Sequence, residues 1–195
     1  FTGKPAVNPI SRAKQTISGE WNGVKGLADD VRFYGQWMRD EAIKKIGEYY
    51  PKIKITEDMV KNRPELNDYI GRELTVIAWI WARTVTSPNP AVNGAEVPLI
   101  RSFWLSSKKG KEVWIEPVVD RKTNEYRFEV KVGPPHSGID PKKGTVFRKG
   151  ARCLLSGNPI PFEYIRSEGK AGRLGSRLMA IVAEGDHGRI YLDPY

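Results

Sequence analysis

The residues best suited to chemistry lie around Cys153. The segment Cys153-Leu-Leu-Ser156-Gly157 has the shape of a zinc knuckle, Cys-x-x-Cys-Gly, in which serine replaces the second ligand. Upstream, Ser87-Pro-Asn-Pro-Ala-Val92-Asn-Gly94 has the same kind of turn with both sulfurs replaced. A structural zinc site usually needs four thiolate or imidazole ligands, and one thiol, two hydroxyls and a valine do not supply them. We expect both turns to form without metal, because the strands on either side supply the packing.

No catalytic set can be assembled from the other reactive side chains. His136 lies in a Pro-rich loop and His187 in a tight turn, so we expect both to be solvated loop residues rather than bases. Cys153 is expected to be a buried structural thiol rather than a nucleophile. The glycines at 169, 172 and 175 resemble a phosphate loop, but no strand precedes them and no Gly-Lys-Ser/Thr follows. This segment is either a close approach to a phosphate backbone or an ordinary turn into a strand.

The charge of the chain indicates a polyanionic partner. Its 195 residues include 32 Lys and Arg against 23 Asp and Glu, which gives a net charge of +9. A basic domain is attracted to nucleic acid above all, although such a charge can also serve only solubility. The basic residues cluster in three stretches, around Gly110, over 141–152 and over 166–177.

The composition argues against a disulfide-rich protein and against a membrane protein. A single cysteine excludes an internal disulfide framework. The longest apolar run, Val76 to Ala82, is far short of the ~20 residues that a spanning helix needs, so no membrane partner is expected. No leader-like segment opens the chain, and we expect a cytoplasmic protein. Because the chain begins with Phe1, we also expect it to be a piece of a longer protein.

The order of the elements predicts an α+β fold with N-terminal helices packed on a mainly antiparallel sheet. Residues 1–25 read as an extended lead-in, 26–71 as a helical part and 72–195 as a β-rich part with the ribbon-like turns, together one compact unit. Apolar residues recur at helical spacing from Leu27 to Tyr49. Its aromatic stripe is expected in the core rather than as a ligand platform, and comprises Phe33, Tyr34, Trp37 and Tyr49.

The β-rich part begins with a run that differs from the later strands. Leu74 to Val85 is almost wholly apolar, which predicts a strand covered on both faces. Strands over 99–105 and 113–119 follow and form an antiparallel meander with 125–132. In the last strand Tyr126, Phe128, Val130 and Val132 alternate with charged residues, which predicts one buried face.

Three segments of the chain closely resemble a large prokaryotic family, the adenine-specific DNA methylases that contain a zinc ribbon. These segments are Ala82-Arg-Thr-Val-Thr-Ser-Pro-Asn-Pro90, Pro98-Leu-Ile-Arg-Ser-Phe-Trp-Leu105 and the stretch from Glu168 to Gly185. The stretches Phe1 to Pro9 and Gly26 to Met38 are also similar to it. The resemblance therefore covers essentially the whole chain.

The resemblance implies where the chemistry of such a protein lies. In the family, a Gly-rich S-adenosylmethionine loop comes before the segment like Phe1 to Pro9, and an Asp-Pro-Pro-Tyr catalytic loop follows the segment like Tyr191 to Pro194. Neither motif is in this chain, so no cofactor is expected here, and S-adenosylmethionine belongs to the parent protein. The implied zinc ligands fall at degenerate positions, of which only Cys153 keeps its sulfur: Ser87, Val92, Cys153 and Ser156.

The resulting prediction is a non-catalytic, inserted target-recognition domain of a DNA adenine methyltransferase-like protein. Its partners would be DNA and the flanking methyltransferase core. The predicted DNA contacts are Lys108, Lys109, Lys111, Lys142, Lys143, Arg148, Lys149, Arg173 and Arg177. Two alternatives stay open. The segment could be a structural scaffold or protein-interaction insert without DNA contact, or an independent enzyme.

Overall fold

A computed structural model describes residues 2–14 and 21–194 of the chain. Helices combine with antiparallel sheets, which confirms the predicted α+β class. The chain divides into two compact units, one ending at Pro51 and one beginning at Lys52. Residues 52–71, predicted to belong with the helices, therefore group with the β-rich part. None of the described helices is long and apolar enough to cross a membrane.

The helices and strands have the following bounds. The α-helices are α1 (Pro9–Lys14), α2 (Lys25–Ile46), α3 (Glu57–Val60) and α4 (Phe162–Lys170), and short 3-10 helices cover Gly47–Tyr49, Pro64–Tyr69 and Pro90–Val92. The strands are β1 (Lys52–Lys54), β2 (Glu73–Thr86), β3 (Glu96–Pro98), β4 (Trp104–Lys108), β5 (Lys111–Asp120), β6 (Glu125–Val132), β7 (Val146–Phe147), β8 (Gly150–Arg152), β9 (Pro159–Pro161), β10 (Gly175–Gly185) and β11 (Gly188–Leu192).

The lead-in of the first unit contains a helix, so the prediction of an extended segment is wrong over 9–14. Asn8 is the reason: its side-chain oxygen accepts a hydrogen bond from the Ser11 N–H at 2.8 Å, the geometry of an N-cap. Pro9 then occupies the first helical position, where a missing N–H costs nothing. Residues 15–20, which the same prediction includes, lie outside the described residues.

A carboxylate and a glycine of α2 hold this lead-in. Asp30 accepts hydrogen bonds from the backbone N–H groups of Val7 and Asn8 at 2.9 Å. These bonds, with that to Val7 the strongest, hold the pKa of Asp30 below its ordinary value. One turn earlier, the chain crosses Gly26 so closely that an added Cβ would lie 2.2 Å from the Lys4 carbonyl oxygen. Gly26 is the one buried residue of α2.

The aromatic stripe of α2 does not form a core, and that prediction is wrong. Tyr34, Trp37 and Tyr49 are exposed by 43%, 55% and 74% of their surface. The helix itself forms as its periodicity predicts. The stripe stays uncovered within this unit because the described lead-in packs at the Gly26 end of the helix, away from these rings.

We predict that Gly26→Ala loosens the lead-in while Gly35→Ala does not. Nothing lies within 4 Å of a Cβ at position 35 of the same helix, so alanine there should stabilise α2 by roughly 0.5–1 kcal/mol. At position 26 the methyl group must displace backbone, and amide exchange of Val7 and Asn8 should accelerate by about tenfold or more. Hydrogen exchange measured by mass spectrometry or NMR checks both variants. Equal protection in the two variants would contradict the close packing.

The second unit is built on a main sheet in which β2 is the central strand. Its order is β1-β2-β10-β11, and β3 pairs with the far end of β2. All ladders in the described residues are antiparallel. Two irregularities interrupt the pairing of β2 with β10, at Met179 on β10 and at Ile77 on β2. Each inserts one extra residue and thereby changes which side chains share a face of the sheet.

One face of the main sheet is covered by the three-stranded meander β4-β5-β6. Ala82 and Ala180 of the main sheet share a core with Ile115, Phe128 and Val130 of the meander. The predicted strand over 125–132 is confirmed, but Val132 is 47% exposed because β6 ends there at the rim of the sheet. The strand predicted over 99–105 is displaced, since β4 begins only at Trp104.

The opposite face of the main sheet is covered only at its ends. Near the start of β2, the segment from Ile55 to Tyr69 packs on Leu74 and Val76. Near its end, Val85 joins a cluster with residues of the small sheet β7-β8-β9 and of α4. Between them Trp79 and Trp81 are exposed by 40% and 57%. The prediction that this strand is covered on both faces is therefore wrong at its centre.

Candidate functional site

The two knuckle-like turns meet at the end of the main sheet. The first connects β2 to β3 and the second connects β8 to β9. Ser87, Val92 and Cys153 are all buried, and Val92 and Cys153 belong to the same apolar cluster. The structure thus brings together positions that lie more than sixty residues apart in the sequence.

The backbone of both turns has the features expected of a knuckle. In the first, the Asn89 N–H donates to the Ser87 hydroxyl at 3.3 Å, and Asn93 is left-handed with φ of 46°. In the second, the Gly157 N–H donates to the Cys153 carbonyl at 3.0 Å and the Asn158 N–H donates to the Ser156 hydroxyl at 3.3 Å. Gly157 closes this turn with φ of 72°, a conformation that favours glycine. Each turn thus contains a serine hydroxyl that accepts a backbone N–H two residues further on.

The Cys153 thiol joins the two turns. Burial raises the pKa of Cys153. Hydrogen bonding by the Ser156 and Ser87 hydroxyls and by the N–H groups of Leu155 and Ser156 lowers the pKa by more than burial raises it, so the pKa lies below its ordinary value. Val92 and Cys153 pack in one apolar cluster, so the two turns are in contact at their junction.

These residues do not fit a zinc ion. The four positions provide one sulfur, two hydroxyls and an apolar side chain, whereas structural zinc takes thiolates and imidazoles. Across residues 2–14 and 21–194, no three His, Cys, Asp or Glu side chains come together as a possible metal site. The packing of Val92 with Cys153, Val85 and Ile160 supplies stabilisation where a metal ligand would otherwise stand.

We predict that the variant Ser87→Cys/Val92→Cys/Ser156→Cys binds one Zn²⁺ with four thiolates. At a zinc concentration one hundred times Kd, its free energy of unfolding should rise by about 2.7 kcal/mol. Co²⁺ in place of zinc should give the visible absorption of a tetrahedral thiolate site. The matched control, Ser87→Cys alone, offers two sulfurs and should give neither signal. No cobalt spectrum from the triple variant would show that the four positions do not converge.

Two of the three predicted basic clusters lie on exposed turns. Lys108, Lys109 and Lys111 surround the hairpin turn between β4 and β5, where Gly110 has φ of 75°. Arg148 and Lys149 form the exposed turn between β7 and β8.

Lys142 and Lys143 belong to the second of these clusters and follow Asp140. The Asp140 carboxylate accepts the Lys142 N–H at 3.1 Å and lies 3.8 Å from the Lys143 ammonium. Six cations of the two clusters have no ion-pair partner among the described residues: Lys108, Lys109, Lys111, Lys142, Arg148 and Lys149.

The third cluster is already engaged within the protein. Arg173 binds both carboxylate oxygens of Glu168, at 2.8 and 2.6 Å, and this contact lowers the pKa of Glu168. Arg177 donates to the Tyr126 carbonyl at 2.7 Å and stacks on its ring at 4.2 Å. Arg177 therefore connects β10 to β6, while Arg173 ties the loop after α4 to that helix, and a phosphate would have to compete with these contacts.

The three clusters do not converge on one point. Arg177 lies beside Tyr126 at the start of β6, whereas the hairpin of Lys111 lies beside Val132 at its end. Six residues of extended strand separate these ends, which is about 20 Å. The loop of Lys142 contacts Phe103 and Arg101, at the opposite end of β4 from Lys108. The cations are thus spread over both ends of the meander sheet and the β7–β8 turn of the small sheet rather than gathered in a single patch.

The exposed tryptophans of β2 are not among the functional residues that the sequence predicts. Trp79, Trp81 and Arg83 occupy alternate positions of the strand and are all exposed. The sequence did contain a signal for this exposed face, because Arg83 stands at the same alternate spacing as Trp79 and Trp81, and a charged residue does not continue a strand that is buried on both faces. The apolar residues between them concealed it.

Comparison with known proteins yields no relative. No protein-family model, curated protein or solved structure matches the chain.

Proposed function

We propose that this chain is a non-catalytic DNA-binding domain, inserted in a protein that resembles adenine-specific DNA methyltransferases. The observation that supports binding is the set of six exposed cations on the hairpin of Lys108–Lys111 and the loops of residues 142–149, none paired with an acid of the described residues. Exposed cations without partners attract phosphates and release counterions from DNA on binding. Phosphate contacts of this kind hold and orient a duplex without reading its sequence.

The meeting of the two knuckle turns supports the proposed relationship to the zinc-ribbon methylases. The resemblance implies that Ser87, Val92, Cys153 and Ser156 stand where that family has ligands. The packing of Val92 with Cys153 and Ile160 would hold the two halves of a metal-free ribbon together.

In this proposal the flanking core of the parent protein provides the chemistry. That core would bind S-adenosylmethionine and carry the Asp-Pro-Pro-Tyr loop. A base must leave the duplex to be methylated, and the rest of the DNA must be held meanwhile. The exposed cations of the 108–111 hairpin and of the loops over 142–149 would provide that hold.

The alternative proposal is a scaffold or protein-interaction insert with no DNA contact. The observation that favours it is the exposed apolar side of α2, which includes Val31, Trp37 and Met38. Exposed apolar surface of this kind is typical of protein contacts. In such a domain the basic loops would be solvated and would contact no DNA.

We predict that replacing four exposed cations by glutamine weakens duplex binding and flattens its salt dependence. The variant changes Lys108, Lys109, Lys142 and Lys149. If each contacts one phosphate, the slope of log Kd against log salt should fall by about 3.6, since each contact contributes about 0.9. Fluorescence anisotropy with a labelled 20-base-pair duplex at several salt concentrations measures this slope.

The matched control removes four cations that are already paired. It replaces by glutamine Arg32, Lys44, Lys61 and Arg127, whose partners are Asp29, Glu41, Asp58 and Glu129. Both variants lose the same net charge. If the exposed cations contact phosphates specifically, the control variant should therefore retain most of the salt dependence of duplex binding. Absence of duplex binding by the unaltered chain at low salt would favour the scaffold.

A further inference from the structure

The centre of the main sheet presents an uncovered strip of two indole rings and a guanidinium. Directly opposed residues of an antiparallel pair lie on the same face, and Trp81 opposes Leu178 while Arg83 opposes Ser176. Two pairs further along the same ladder, Trp79 opposes Ile181. The strip comprises Trp79, Trp81, Arg83, Ser176 and Leu178, and we call it the tryptophan strip.

Both ends of the tryptophan strip are closed by the fold. At one end Ile181 is fully buried in the cluster that the segment from Ile55 to Tyr69 covers. At the other end Val85 is 1% exposed, under the cluster that includes Cys153. The strip is therefore a gap between two covered regions of one sheet face.

The rings are held on a rigid support. β2 pairs with β10 from Val76 to Thr84, so each tryptophan lies on a strand bonded within the sheet. Alternate residues of a strand are about 7 Å apart, twice the 3.4 Å rise between stacked bases, so each ring can meet a base of its own. A preordered ring loses little conformational freedom when it stacks on a ligand.

The charge of the strip selects the ligand. None of its residues is acidic, Arg83 is exposed at its end, and the chain carries a net charge of +9. Aromatic rings on a sheet with an adjacent arginine are the recurrent means of binding unpaired bases and their phosphates. In a duplex the faces of the bases are hidden by stacking, so indole rings on a sheet can reach them only where the strand is open.

We propose that the tryptophan strip binds the unpaired bases of a single-stranded nucleic acid. Trp79 and Trp81 stack on two bases, and Arg83 contacts the phosphate backbone beside them. This activity goes beyond the proposed hold on duplex DNA, and it uses a different face of the molecule from the face that the meander sheet covers. One of the two activities can therefore fail while the other stands.

The test is a titration of the full chain with a fluorescein-labelled fifteen-residue oligothymidylate, which forms no duplex. Trp79→Ala and Trp81→Ala should each raise Kd by about 5- to 150-fold, the range expected for the loss of one stacked base. Trp81→Phe should recover part of the loss, because it keeps a smaller ring. Arg83→Gln should raise Kd and reduce its salt dependence.

Two controls make the result specific. Trp37→Ala removes an equally exposed indole from α2 and should leave the oligothymidylate Kd unchanged within twofold. The double variant Trp79→Ala/Trp81→Ala should bind the 20-base-pair duplex as the unaltered chain does, since the basic loops are intact. Circular dichroism and the thermal midpoint confirm that the variants fold.

Three results would overturn the proposal. The first is no binding of oligothymidylate by the unaltered chain. The second is equal weakening by Trp37→Ala and Trp81→Ala, which would indicate a nonspecific effect. The third is an unchanged Kd in the double variant together with a change in oligomeric state by light scattering, which would assign the strip to a second copy of this chain.

Discussion

The fold of the second unit depends on the pairing of β2 with β10. This ladder carries the core on one face and leaves the tryptophan strip on the other, and two irregularities decide which residues belong to which face. Because a single extra residue moves every later side chain to the opposite side, the irregularity at Ile77 places Trp79 and Trp81 on the same face as Val76. The covering segment then decides that Val76 is buried while the two tryptophans are exposed. β2 also anchors the covering segments at both ends, since β1 and β3 pair with its two ends in ladders of their own.

The two knuckle-like turns are joined by packing. Zinc joins the two halves of a zinc ribbon by four strong bonds, whereas here the packing of Val92 with Cys153 connects the turns. Strands that pair in the main and small sheets flank both turns and support them. A free-standing zinc finger has no such support and unfolds when its metal is removed.

The cations are divided between binding and structure. Those at hairpin turns stay exposed, since a two-residue turn such as Lys109-Gly110 offers no neighbour to cover them. Those beside α4 and β10 find partners: Arg173 ties the loop after α4 to that helix, and Arg177 joins β10 to β6. Net charge therefore overstates the number of groups that are available to a polyanion, and the positions of the exposed turns determine where one could bind.

The sequence by itself determined the class of fold, the long helix α2, the strand β6 with Tyr126, Phe128 and Val130 inward, and the two turns around Ser87 and Cys153. Each of these follows from local periodicity or turn chemistry, which a few neighbouring residues specify. Only the tertiary structure decided that the turns meet, that Arg173 and Arg177 are engaged, and that Trp79 and Trp81 are exposed. Those facts depend on strand register and on which distant segment covers a face, and an apolar residue has the same identity whether or not another element covers it.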